Sequence, residues 1–187
     1  MTITISYQEP ALDDPDGTVR LEPDMLGPRE VFVESRNERD SHLDVEMHMV
    51  FNSEFRQYFA NWIRVQRREE SDSVSGAGIR SIRVQDYVQS GLQDVRWIDS
   101  KTGEDIPTTL PDDLVERIKL LGPSNPETMR WVARIHQRAF ATSQRPAKAV
   151  QEQLQLTAPT ASVWIRRARD TGILPAPEYP DDGIVFQ

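Results

Sequence analysis

The chain has 187 residues, 37% hydrophobic and 28% charged, with a net charge of −8 and no cysteine. That is a globular balance on the polar side, long enough for one domain with extensions or for two small ones. The charge excludes a protein that coats nucleic acid with its whole surface, and the missing cysteines exclude disulfides, thiolate catalysis and cysteine-ligated zinc.

The N-terminus, MTITISYQEPALDDPDG, has neither a basic start nor a long apolar run, so no secretory signal is expected. No run of about 18 apolar residues predicts a membrane span, and the cytoplasm is the expected compartment. Residues 1–29 hold Pro10, Pro15, Pro23 and Pro28 among many acids and predict an acidic, flexible arm. REVFVES, residues 29–35, alternates Val31 and Val33 with polar neighbours, and LDVEMHMVF, residues 43–51, puts Leu43, Val45, Met47 and Met49 on one face at period two. Both predict strands. SEFRQYFANWIRVQRREE fits a short helical turn running into a strand near residues 62–67, and ESDSVSGAG a polar, mobile loop. IRSIRVQDYVQSG predicts a short helix or turn ending at Gly91, and VRWID a short strand.

From residue 111 the helical signals sharpen. PDDLVERIKLLGP places Asp112 or Asp113 near an N-cap, spaces Leu114, Val115, Ile118 and Leu121 helically, and stops at Gly122-Pro123. SNPETMRWVARIHQRAFATS predicts a second helix capped by Ser124 or Asn125, with Trp131, Val132, Ile135 and Ala139 inward. Pro146 opens a third, with Ala147, Val150 and Leu154 inward. Thr157 caps a fourth that tolerates Pro159 in its first turn and closes at Gly172. The expected class is therefore α+β. A strand-containing domain of unassigned role over residues 30–110 precedes a helical unit over 111–175, and an acidic tail occupies 176–187.

Between residues 126 and 175 eight cations face three carboxylates, a net +5, which leaves −13 for the remainder. Such asymmetry hints at a module that faces nucleic acid. Two short helices joined by a tight link after a longer helix are the layout of a helix-turn-helix. There the second helix packs one face on its neighbours and offers a small, polar and cationic face to the major groove. Leu154, Leu156, Ala161, Trp164, Ile165 and Ala168 supply the packing face, leaving Thr157, Pro159, Thr160, Ser162, Val163, Arg166 and Arg167 for groove and phosphates, with Arg169 beyond them. Arg145, Lys148 and the N-terminus of the third helix are placed to clasp the DNA backbone.

The run RPAKAVQEQLQLTAPTASVWIRRARDTGILP resembles the C-terminal helix-turn-helix of actinobacterial and actinophage proteins of largely uncharacterised function. In these a helix is followed by a leucine, a turn, a small hydroxyl-rich start and a W-I-x-x-A-R-x-x-G-x-L ending. Trp164, Ile165, Ala168, Arg169, Gly172 and Leu174 match that ending, and the likeness covers about the last third of the chain. Gln155 departs from it where the turn usually carries Gly, and Gln151 where the preceding helix usually carries Ala. A non-glycine at that turn is expected to take a left-handed conformation at modest cost. The resemblance implies binding of double-stranded DNA and supplies no target.

His42 and His48 share a strand face with Asp44 and Glu46, a metal-like set for which a solvated polar face is the simpler reading. His136 falls beside the apolar stripe of its helix, a position for a satisfied or exposed histidine. The carboxylate pairs Asp13/Asp14, Asp112/Asp113 and Asp181/Asp182 lie in polar or capping contexts, and GAGIRS lacks the lysine and spacing of a phosphate loop. The expectation is a non-enzyme without cofactor: a sequence-directed DNA reader, a transcriptional regulator of bacterial or phage origin, using the helix over 157–170. Such readers commonly dimerise, and here the front domain or the helix over 111–122 would supply the interface. The alternative is an acidic adaptor that binds a partner protein through its N-terminal domain and uses the helices structurally. Accessory DNA processing in a phage is a third reading.

Overall fold

The computed structural model describes residues 2–21, 23–36, 43–69 and 73–175. The class is α+β, with strands in the N-terminal part and helices towards the C-terminus. Strands β1 (Thr2–Ser6), β4 (Glu30–Arg36), β5 (Leu43–Asn52) and β6 (Gln57–Arg67) form one antiparallel sheet in the order β1-β4-β5-β6. Strands β2 (Thr18–Leu21), β3 (Met25–Pro28), β7 (Trp97–Asp99) and β8 (Asp105–Ile106) form a second, in the order β2-β3-β7-β8. The helices are α1 (Gly76–Ser81), α2 (Val84–Gln93), α3 (Asp112–Leu121), α4 (Pro126–Ala141), α5 (Pro146–Gln153) and α6 (Ala158–Asp170). Among the described residues, no helix is long and apolar enough to cross a membrane.

Period-two alternation builds the larger sheet. Val31 and Val33 on β4 and Val45, Met47 and Met49 on β5 all point to one buried face. Helix α2 lays Tyr87, Val88 and Leu92 on that face. It comes close because residue 91 is glycine: a Cβ there would overlap the Val33 side chain. The smaller sheet brings Val19, Leu21, Met25 and Trp97 into the same core.

The N-terminal residues differ from the expected arm. β1 pairs with β4, and β2 and β3 contribute buried Val19, Leu21, Met25 and Leu26. These strands are only four or five residues long, too short for a visible period between the prolines. The strand expected near residues 62–67 begins earlier, at Gln57, because a turn through Arg56 (φ 55°) returns the chain antiparallel onto β5. Part of the expected loop is α1, whose first turn is capped when the Ser75 side chain accepts from the Gly78 amide. Helix α2 runs past Gly91 to Gln93.

His48 is buried, where a solvated face was expected. It stacks on Phe32 with ring centroids 4.4 Å apart, and its Nε2 lies 3.0 Å from Glu30 Oε2. His42 and residues 176–187, the acidic tail, lie outside the described residues.

A second apolar cluster joins Leu110, Val115 and Ile118 to the inner faces of α4, α5 and α6. Helix α4 belongs to both cores: Trp131 packs against each, and Ala141 lies in the first. A buried ion network fixes it there. Asp24, 3% exposed, accepts from Arg134 Nε at 2.7 Å and meets Arg130 Nε at 3.2 Å. Arg134 also donates to Asp99. Burial works against the Asp99 carboxylate, but the amides of Lys101 and Thr102 and the Arg134 guanidinium together hold it below its usual range.

Arg134→Ala should therefore lower stability by ~3–5 kcal/mol, because it leaves buried carboxylates short of their partner. Urea unfolding followed by circular dichroism measures this, and an unchanged midpoint would show that the network does not join the two halves.

Candidate nucleic-acid interface

The candidate site rests on α4. Asn125 caps that helix by accepting from the Glu127 amide at 2.8 Å, and Pro126 occupies its first turn, where no amide is needed. Helix α5 follows with Ala149 and Val150 buried. Ala147, expected inward, is exposed, so the buried stripe of α5 begins two residues later.

The link from α5 to α6 is tight. Gln155 takes φ 48°, the left-handed conformation expected where other such turns carry glycine. Its side chain spans to α3, donating to Asp112 Oδ1 at 3.3 Å and accepting from Lys119 Nζ at 3.3 Å. The backbone closes the turn through Leu156 N to Gln151 O, 2.9 Å. These bonds offset the strain of a β-carbon in that region.

Thr157 caps α6, its Oγ1 accepting from the Thr160 amide at 3.4 Å and lying 2.8 Å from the Thr160 hydroxyl. Ala161, Trp164, Ile165 and Ala168 are buried against the helices before them, with Leu154 behind and Leu156 half-buried. The helix ends at Gly172 (φ 72°), after which the amide of buried Leu174 donates to Ala168 O at 2.9 Å.

The remaining residues form the outward face. Thr157, Pro159, Ser162, Val163, Arg166 and Arg167 are exposed, and Thr160 is half-buried beside the cap. Arg167 reaches Ser124 Oγ at 3.4 Å, which leans it towards the loop before α4. Arg145 and Lys148 are exposed at the start of α5, away from this face in the chain, and Lys148 pairs with Glu152 at 3.4 Å. Arg169 is set apart from the exposed group: it is half-buried against α4, with Nη2 3.3 Å from His136 Nε2.

The electrostatics here differ from the charge balance along the chain. Of the eight cations in residues 126–175, Arg130 and Arg134 are held by Asp24, and Arg138 is buried against the Pro107 and Thr108 carbonyls. Desolvation pushes Arg138 down to about 10. Surface charge is thus left to Arg145, Lys148, Arg166 and Arg167, with Arg169 and the exposed but Asp24-paired Arg130 in part. Burial, and then the Arg169 charge, push His136 down to about 4, so at neutral pH its neutral ring accepts from the arginine.

Sequence reasoning missed the anchoring of the turn by Gln155 and the Arg169–His136 contact. The left-handed turn itself was the one available signal for the first. No known protein family, curated protein or solved structure matches the chain.

The His136 contact has a pH signature. An unfolded histidine takes up a proton below its ordinary 6.5, whereas the folded one resists until about 4. The folded state is therefore fully stabilised above pH 6.5 and loses stability as the pH falls through that window. At ~1.4 kcal/mol per tenfold change in proton affinity, the loss is of order 3 kcal/mol. His136→Gln should flatten the stability difference between pH 7 and pH 4.5 relative to the parent; parallel pH profiles would refute the assignment.

Proposed function

We propose that the protein binds double-stranded DNA and presents α6 to the major groove, as a bacterial or phage regulator does. The supporting observation is the division of α6. One side is anchored by Ala161, Trp164, Ile165 and Ala168, and the other offers hydroxyls, Pro159, Val163, Arg166 and Arg167 without a carboxylate before Asp170. Small residues at the N-terminal end permit close approach to base edges. Arginines further along suit phosphate oxygens or the paired acceptors of guanine. The exposed Arg145 and Lys148 at the start of α5 add a backbone contact. The cationic surface is small and the whole chain carries −8, which favours contact through this one face rather than general adhesion to nucleic acid.

Selection of bound fragments from a random DNA pool would supply the target for a direct test. Replacing Arg166 and Arg167 with Ala should leave folding stability within about 0.5 kcal/mol, since both side chains are exposed. Binding should weaken, and the slope of log affinity against log salt should fall by about one for each arginine–phosphate pair removed. Equal affinity and slope in the double variant would pass the lead to the adaptor reading.

A further inference from the structure

The larger sheet ends in an unusual edge. β6 is its last strand, 11 residues long, and no backbone hydrogen bond from another segment reaches the free side of residues 59–66 among the described residues. At about 3.3 Å per residue the strand spans about 36 Å. Phe59, Trp62 and Ile63 on β6 are 38%, 39% and 38% exposed, and Phe32 on β4 is 42% exposed. The apolar surface lies on both faces: Trp62 and Phe32 flank His48 on the outer one, while Ile63 pairs with Met47 on the inner one.

Long edges invite pairing, and proteins that keep them single blunt them with proline, charged side chains or a β-bulge. β6 has no proline or lysine, and its register shift opposite His48 and Met49 still leaves Phe59, Trp62 and Ile63 exposed. Arg64 does not shield the edge either, because Glu46 holds it on the outer face at 2.9 Å, where it lies 5.5 Å over the Trp62 ring.

We infer that a second copy of this chain covers the edge, with β6 pairing antiparallel to its own counterpart about a two-fold axis at Ile63. A two-fold axis satisfies both free edges at once and leaves no new edge. The position of the axis follows from the side chains. Centred on Ile63, the pairing sets Ile63 against itself and Trp62 against the second copy's Arg64, a cation over an aromatic face. Centred on Arg64 it would oppose like charges. Centred on Trp62 it would set Arg64 against Ala60 and leave the cation without an aromatic partner.

On the outer face Glu34, Asp44 and Glu46 stand against Arg36, Arg68 and Arg64 in ion pairs and Glu30 against His48, so the face offers no excess of positive charge to a nucleic-acid strand. The pairing stands on the sheet alone. Joined to the proposed DNA contact, it gives the dimer that paired half-sites require.

Sedimentation velocity of the full chain without DNA, from 1 to 200 µM by choice of loading, separates this inference from the DNA reading. The expected result is a species of twice the 21.4 kDa chain mass at the upper end, dissociating on dilution. Ile63→Lys should shift it to monomer, whereas Ile79→Lys, on exposed α1, should not. Because the chain has no cysteine, Ile63→Cys tests the register without adding charge to the edge: mild oxidation should give a disulfide-linked dimer, and Gln66→Cys should link far more slowly. A chain that stays monomeric at every concentration, or a dimer that survives Ile63→Lys with the fold intact, overturns the inference. So does a monomer that dimerises only once residues 176–187 are deleted, which would assign the edge to the chain's own tail.

Discussion

The buried carboxylate of Asp24 is the constraint on which the rest of the structure depends. It leaves water between two strands of the smaller sheet, and its charge is tolerable only because Arg134 and Arg130 arrive from α4. Asp99 works in two directions: its Oδ1 accepts from the Lys101 and Thr102 amides to fix the β7–β8 turn, and its Oδ2 accepts from Arg134. One guanidinium thus ties the first strands, the β7–β8 turn and the central helix together. Its plane also lies over the Trp131 ring, so the network is packed as well as charged.

With α4 fixed, the helical unit follows. Its apolar stripe receives α5 and α6, and the Arg138 guanidinium joins the Pro107 and Thr108 carbonyls to the Gln153 side chain at the end of α5. Gln155 then fastens the following turn to α3 from the opposite side. These contacts hold α6 by one face and leave the other open, which is the arrangement that precise groove reading requires of a scaffold. The half-buried Arg169 and neutral His136 complete the α4–α6 seam with a cation that has no carboxylate within bonding distance among the described residues.

The α6 face and the β6 edge are chemically unlike. The α6 face is hydroxylic and cationic; the β6 face is aromatic, with carboxylates beside it. A polyanion suits the first and an apolar protein strand the second. In the proposed DNA complex this separation keeps the acidic surface of a −8 chain away from the polyanion.

The sequence by itself determined the elements with a strong period or strong punctuation. β4 and β5 were legible from alternation, and α3 to α6 from Pro126, Pro146, Thr157, Gly122 and Gly172, because helix ends must satisfy their own backbone groups locally. The buried side of α6 was legible too, since Trp164, Ile165 and Ala168 recur at helical spacing. Tertiary structure decided what depends on distant partners. β1, β2 and β3 are too short to announce themselves and exist through pairing. Asp24 and Arg134 lie 110 residues apart, so nothing local marks either as buried. Counting charges along the chain gave the helical unit an excess of cations, but burial of Arg134 and Arg138 removed two of them from the surface, because exposure is a property of the packed molecule and not of the residue.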